Sequence, residues 1–378
     1  MKNKLLYFWY KYIGFFFRLL PIKNNRIVVQ NFFGKGYGDS PKYIVNELLN
    51  QKENIEIIWL VKETKYSDIP KEIKQIKRGS ILELYYLSTS KIWIDNSRKH
   101  NGVTKRKNQI YIQTWHGGIG LKKVEKDAGN LLSSNYIKSA KNDSKMIDYL
   151  LSNSKLLSNL YRKSFWYNGK ILEIGFPRSD VLFLKNTKNI KNNLKKYKID
   201  NDSKIILYCP TFRNESYDYL NFDCNKLINE LEVKYNQNYT LLIKLHPNVK
   251  KQSLNNNSGK VINVSDYSDI NELLLITDIL ITDYSSTAFD YLKFNKPIYL
   301  YAPDYDEYTK ERGFAMEYDK LPFSISYNSN QLIKNIVNNN YKEHMEDLRE
   351  FKIKLGSFDN GNASKKITKI ILQIINGG

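Results

Sequence analysis

The segment DILITDYSSTAFDYLKFNKPIYLY, residues 278–301, decides the fold. It reads as a buried strand over Ile279–Thr282, a polar turn, a helix over Ser286–Phe294 and a second buried strand over Pro297–Tyr301. Short apolar runs bounded by turn residues suit strands covered on both faces. Strand, helix and strand in succession make a parallel crossover, the unit of an α/β protein.

The same alternation extends in both directions. Upstream in this half, strands are expected over Lys204–Cys209, Thr240–Leu245 and Lys260–Val264, with helices over Phe222–Tyr235 and Ile270–Ile276. Downstream, Glu343–Leu355 and Ala363–Ile375 read as helices. The first half gives strands over Arg26–Gln30, Glu56–Val61, Lys91–Asp95, Gln109–Thr114, Tyr149–Ser152 and Ile171–Gly175. A Lys/Asn-rich stretch, Lys185–Ser203, separates the halves. With 378 residues and about 150 per domain, two domains are expected. Their boundaries fall at 23–185 and 186–378, with the last helices free to pack back on the first domain.

Hydrophobic residues are 42% of the chain and aromatics 13%, as in a folded protein. Cys209 and Cys224 have no metal-like or redox spacing, which points to a reducing compartment. Four scattered histidines without an H-E-x-x-H pattern argue against a protein-built metal site. The net charge of +20 admits nucleic acid, an anionic membrane or a phosphate-rich substrate as partner. No RNA- or DNA-recognition motif accompanies it, so nucleic acid is set aside.

Residues 1–22 mix Phe8, Trp9, Phe15, Phe16 and Phe17 with Lys2, Lys4, Lys11 and Arg18. The run is too short and too charged to span a bilayer, and no cleavage site follows it. It reads as an amphipathic helix in the interface of an anionic leaflet, or as a first helix packed on its own domain.

Unusual polar residues fall just after the expected strands, where ligands of open α/β sheets bind. After Gln109–Thr114 comes Trp115-His116-Gly117-Gly118-Ile119-Gly120-Leu121-Lys122-Lys123. His116 has the titration range of a general base, Gly117, Gly118 and Gly120 permit close backbone approach and positive φ angles, and Lys122 suits phosphate. Ile171–Gly175 is followed by Pro177-Arg178-Ser179-Asp180, and Lys204–Cys209 by Pro210-Thr211-Phe212-Arg213. Each loop carries an Arg suited to bidentate phosphate contact. Lys244-Leu245-His246-Pro247 ends another strand with two basic residues. Asp283-Tyr284-Ser285-Ser286 opens a helix whose Asp290 lies one turn on, placed for a ribose or glycerol hydroxyl. Gly34-Lys35-Gly36-Tyr37-Gly38-Asp39 is G-x-G-x-G, and no acid ends the next strand, which argues against a nicotinamide or flavin site. It suits the acceptor side instead. Two such halves facing each other would gather these clusters in one cleft.

In this order, the motifs Trp115–Gly117, Gly175–Asp180, Pro210–Arg213, Lys244–Pro247, Asp283–Asp290 and Tyr308…Arg312-Gly313 resemble the CDP-glycerol glycerophosphotransferase family, the teichoic acid primases and polymerases. The resemblance runs from about Asn31 to Asn362. It implies a GT-B architecture of two Rossmann-like domains, with His116 and His246 as essential histidines. It further implies donor contacts at Gly117, Gly118, Ile119, Gly120, Arg178, Pro210, Thr211, Lys244, Leu245, Ser285, Ser286 and Asp290. Arg213, Arg312 and Lys122 are added as candidate phosphate contacts. The glycine-rich loop after His116 is one residue longer than the usual W-H-G-T-P-L-K, which suits a different acceptor such as a capsule or other surface glycan.

The implied donor is CDP-glycerol or another CDP-alditol. The implied acceptor is a lipid-linked glycan at the cytoplasmic face of the membrane, and CMP is the leaving group. No tightly bound cofactor is expected, although Mg²⁺ could assist through the diphosphate. The oligomeric state is left open. Rival readings are a nucleotide-sugar glycosyltransferase of the same fold and an inactive basic scaffold on membranes.

Overall fold

A computed structural model describes residues 7–63, 66–121, 123–185, 187–213, 221–246, 249, 259–312 and 314–377. The chain divides into two compact units. Unit one is Met1–Gly117, Val124–Phe183 and Ser357–Gly378, and unit two is Gly118–Lys123 and Leu184–Gly356.

Unit one is built on a seven-stranded sheet. Its strands are β1 (Lys23–Gln30), β2 (Glu56–Val61), β3 (Lys74–Lys77), β4 (Ser90–Asp95), β5 (Ile110–Gln113), β6 (Tyr149–Ser152) and β7 (Lys170–Glu173). They lie in the order β3-β2-β1-β4-β5-β6-β7, and every pairing is parallel. Ile27–Val29, Ile57–Val61 and Ile92–Ile94 are buried runs, as central parallel strands covered on both faces require. The edge strand β3 is not predicted by the sequence, because only Ile76 of its four residues is buried.

Unit two carries a six-stranded sheet of β8 (Lys204–Cys209), β9 (Tyr239–Ile243), β10 (Val261–Asn263), β11 (Ile279–Thr282), β12 (Ile298–Tyr301) and β13 (Ser324–Ser326). The order is β10-β9-β8-β11-β12-β13, again parallel throughout. The three-residue β13 also escapes sequence reading. In each sheet the winding reverses once, between β1 and β4 and between β8 and β11. Such switch points open a crevice outside the carboxyl ends of the strands.

The amino-terminal helix packs on its own unit, the second of the two alternatives drawn from the sequence. Of the expected 1–22, helical structure covers residues 7–17 and ends before Arg18, and residues 1–6 lie outside the described residues. One face packs on unit one. Tyr10 is buried and donates its hydroxyl to Glu83 (3.0 Å), Gly14 lies against Leu84, and Phe17 meets Tyr85 edge-on. The other face exposes Phe8, Tyr12, Phe15 and Phe16, followed by Leu19 and Leu20. No helix among the described residues is long and apolar enough to cross a membrane.

The last helix, Ala363–Asn376, returns to unit one and places Ile367 and Ile371 in its core. Asp180 caps it from a distance. Its carboxylate accepts from the N–H groups of Ala363 (3.0 Å) and Ser364 (2.7 Å). Just before the helix, Asp359 accepts from the Phe176 N–H (2.8 Å), and Phe358 N–H donates to the Asn153 carbonyl (2.7 Å). Gly175, at φ +91°, is required there, because a Cβ would meet Asp359 at 2.9 Å.

Candidate active site

In unit one the polar loops converge on His116. Thr114 ends the β5 segment by donating its N–H to the Asp95 carbonyl. The chain then turns at Trp115, whose φ is +55°. The expectation that Gly117, Gly118 and Gly120 supply left-handed geometry here is corrected. None has a positive φ, and a Cβ at Gly120 would meet open space. Trp115 holds the strained conformation through packing instead. Its ring lies 4.8 Å from Phe165 and 4.5 Å from the His116 ring, with Arg98 over it at 5.3 Å.

His116 Nδ1 lies 2.7 Å from the main-chain carbonyl of Asn96. A carbonyl only accepts, so in the neutral ring Nδ1 carries the proton and Nε2 is the basic nitrogen. Removal of water by the surrounding protein lowers the His116 pKa below the usual 6.5, while the Asn96 carbonyl and Asp39 favour the cation. The residue itself stays exposed, so this desolvation is partial. Arg178 donates from Nη1 to the His116 carbonyl (2.8 Å) and pairs with Asp39 at 3.5 Å. Asp39 opens the helix Asp39–Asn50 with φ +55°, a conformation disfavoured for a residue with a Cβ.

Beneath this loop is a buried ionic cluster. Arg98 pairs with Glu125 (2.9 Å) and Asp143 (3.1 Å), and Lys99 with Asp95 (2.7 Å). Burial pushes the Asp143 carboxyl up to about 6, against the pull of Arg98. Losing one partner of such a cluster strands a buried charge, so it holds Arg98, and with it Trp115, in one arrangement.

In unit two, Asp283 joins the two loops at the sheet's switch point. Its carboxylate accepts from the Thr211 N–H through both oxygens (2.9 Å each), from Thr211 Oγ1 (2.6 Å) and from the Tyr284 N–H (2.5 Å). Arg213 pairs with Asp283 (2.9 Å) and Asp304 (2.6 Å), and lies 4.8 Å from the rings of both Tyr284 and Tyr308. The expectation of Arg213 as a phosphate contact is therefore corrected. Its guanidinium is buried and committed to two carboxylates, an internal brace that the sequence alone does not reveal.

Thr211 and the buried Pro210 sit at the carboxyl end of β8. Lys244 donates to the Ser265 carbonyl (2.8 Å), and burial lowers its pKa. Leu245 belongs to the core of unit two, and its N–H donates to Ser265 Oγ. Ile119 is likewise buried, so neither Leu245 nor Ile119 offers its side chain to a ligand. His246 is exposed at the end of this segment, its ring 5.8 Å from that of Phe212.

Ser286 precedes the helix Thr287–Tyr291 and makes no side-chain cap, while Ser285 Oγ accepts from the Thr287 N–H (3.3 Å). Asp290 is nine-tenths buried, its N–H on the Ser286 carbonyl (3.2 Å). Lys122 and the Arg312 side chain lie outside the described residues. Both cysteines are free and buried. Among the described residues no cluster of His, Cys, Asp and Glu could hold a metal ion. A notch of about 470 Å³ between the helices Asp39–Asn50 and Ala363–Asn376 contains none of the residues above.

Sequence reading missed Asn96, Asp283 and Asp304 as organisers. The signal was there for Asn96, which directly follows β4 as the singled-out residues follow their own strands.

Two parallel α/β units, each with its polar loops outside the carboxyl ends of the strands at a switch point, define a GT-B-like architecture. The chain belongs to the CDP-glycerol:poly(glycerophosphate) glycerophosphotransferase family, whose family model matches residues 13–373. It is 33% identical over 369 residues to a teichoic acid poly(glycerol phosphate) polymerase of Staphylococcus epidermidis, covering 93% of this chain and 51% of that protein. The chain thus spans about half the length of that relative. It is also 33% identical to a teichoic acid glycerol-phosphate transferase of Staphylococcus aureus, covering 94% of each. The solved structure of the wall teichoic acid polymerase TagF matches with a TM-score of 0.86 at 31% identity, over 100% of this chain and 96% of that one.

Proposed function

We propose that this chain transfers glycerol phosphate, or a related alditol phosphate, from CDP-glycerol to a hydroxyl of a lipid-linked saccharide or growing polymer. The family description supports the donor. The observation that carries the reading is the His116 tautomer set by the Asn96 carbonyl, which leaves Nε2 free of its proton. In this reading the acceptor oxygen attacks the phosphorus bearing glycerol, and its proton passes to Nε2. The bond from that phosphorus to the bridging oxygen breaks, and the oxygen leaves with CMP. His246, Lys244 and Arg178 offset charge on the phosphoryl oxygens, and the residues from Asp283 to Asp290 hold the donor. Mg²⁺ on the diphosphate is compatible with this scheme.

The test is CMP release from CDP-glycerol by purified protein, with and without a lipid-linked disaccharide, beside CDP-ribitol and a nucleotide sugar. Acceptor-dependent release from CDP-glycerol is expected. Turnover of a nucleotide sugar alone, giving a product without phosphorus, would instead make the chain a glycosyltransferase.

Attachment to the cytoplasmic face of the membrane is the second part of the proposal. It is supported by the exposed Phe8, Tyr12, Phe15 and Phe16 beside Lys11 and Arg18. Deleting residues 2–20 should reduce sedimentation with anionic vesicles, and unchanged sedimentation would assign this helix to the core alone.

A further inference from the structure

Three consecutive residues at the carboxyl end of β1 have left-handed backbone, Phe32 (φ +39°), Phe33 (φ +58°) and Gly34 (φ +89°). Glycine tolerates this region, and two successive phenylalanines do not adopt it without support. The support is explicit. Phe32 N–H donates to Asn96 Oδ1 (2.8 Å), and Gly34 N–H to the Asn31 carbonyl (2.7 Å). The Phe33 carbonyl accepts from Arg78 Nη1 (2.5 Å), and the Gly34 carbonyl from the Lys62 N–H (2.8 Å). Asn96 Nδ2 closes the ring on Asn31 Oδ1 (2.8 Å).

This bracing does not bury the aromatic rings. Phe32 is 37% exposed and Phe33 48%. Phe32 meets the His116 ring edge-on at 5.5 Å, and Arg78 lies 5.8 Å from the Phe33 ring. One residue, Asn96, sets both features. Its side chain fixes the Phe32 backbone, and its carbonyl fixes the His116 tautomer. The turn also sits at the switch point between β1 and β4, where an α/β sheet presents its ligands. A strained, exposed aromatic pair tied to the reacting histidine is placed for binding, since packing alone would have buried it.

We infer that Phe32 and Phe33 form an acceptor subsite, an aromatic platform for the C–H face of a pyranose ring whose hydroxyl is delivered to His116 Nε2. The inference rests on the transfer reaction proposed above. The rings offer a flat apolar surface and no hydrogen-bond donor, which fits the face of a sugar ring better than a charged glycerol phosphate chain. Arg78 and the Lys35 that follows the turn supply positive charge at its rim.

The test uses the full chain, CDP-glycerol and a lipid-linked disaccharide, with Phe32→Leu, Phe33→Leu and Phe33→Tyr. Two quantities are measured, the acceptor KM from CMP release and the disaccharide Kd from tryptophan emission. Trp115, whose ring lies 4.5 Å from that of His116, makes emission a reporter of the subsite. Both Leu variants are expected to raise KM and Kd about 5- to 10-fold, and Tyr to stay within about twofold. CDP-glycerol affinity, measured by calorimetry, should not change. If the wild type releases CMP and the Leu variants keep its KM, the platform is refuted. Loss of vesicle binding by the Leu variants with KM unchanged would make the pair a membrane contact and refute it as well. If the wild type binds the disaccharide, the Leu variants bind it more weakly and no CMP appears, the platform stands and the transfer reaction falls. Absence of any disaccharide binding by the wild type overturns the platform directly.

Discussion

Asp283→Ala should unfold unit two well before unit one. The Asp283 carboxylate is buried, accepts from Thr211 and Tyr284 and pairs with Arg213 at 2.9 Å. Truncation removes these charge-assisted bonds together and leaves the buried Arg213 with Asp304 as its remaining carboxylate. Removing one partner of a buried ion pair costs about 3–5 kcal/mol. At a urea dependence of about 2 kcal/mol/M, a loss of about 4 kcal/mol lowers the midpoint by about 2 M. The chain supplies its own probe. All five tryptophans, Trp9, Trp59, Trp93, Trp115 and Trp166, lie in unit one, so tryptophan emission reports that unit alone. Circular dichroism reports both. In the variant, an early loss of ellipticity should precede an emission change whose midpoint matches the wild type. Ellipticity and emission transitions that both coincide with the wild type would refute the view of Asp283 as the joint of unit two.

His116→Ala and His246→Ala should each lower turnover by about 10²- to 10⁴-fold with unchanged circular dichroism, and wild-type turnover in either would remove that histidine from the mechanism. Because the His116 pKa is lowered, its neutral, basic form persists below pH 6.5, so the acidic limb of kcat/KM should fall below that value. Asp39 favours the imidazolium, so Asp39→Asn should move the limb further down, and an upward shift would contradict the geometry. Asp143, raised from 3.8 to about 6, keeps a proton in the folded state that the unfolded chain has released. Stability from this group is full below pH 3.8 and is lost as pH rises through about 6, a change of about 3 kcal/mol. The difference in urea midpoint between wild type and Asp143→Asn, followed from pH 4 to 7, should show that slope.

The parallel strands were legible because burial on both faces writes itself as uninterrupted apolar runs. Glu56–Val61, Tyr149–Ser152, Lys204–Cys209 and Ile279–Thr282 appear with the boundaries the sequence suggests. Edge strand β3 buries one residue of four, and the buried residues of β13 are Ser324 and Ser326, so neither leaves an apolar trace. The loops that follow strands were legible for the same reason, since a polar residue after an apolar run stands out. What those residues touch was not. Arg213 in a P-T-F-R loop looks like a phosphate ligand until Asp283 and Asp304 are seen beside it, 70 and 91 residues further along the chain. The strain at Trp115 was misplaced onto neighbouring glycines because composition marks where a turn is permitted, and packing decides which residue takes it.

The return of the last helix to unit one bears on how the protein is made. Unit two is nearly contiguous, Leu184–Gly356, whereas unit one waits for Ser357–Gly378. At about 5–20 residues per second, a ribosome spends about 9–35 s on the intervening segment. During that interval the helix Asp39–Asn50 lacks the cover of Ile367 and Ile371, and Asp180 lacks the N–H groups it caps. The unit bearing His116 starts first and finishes last, which makes nascent unit one the species most in need of protection from aggregation.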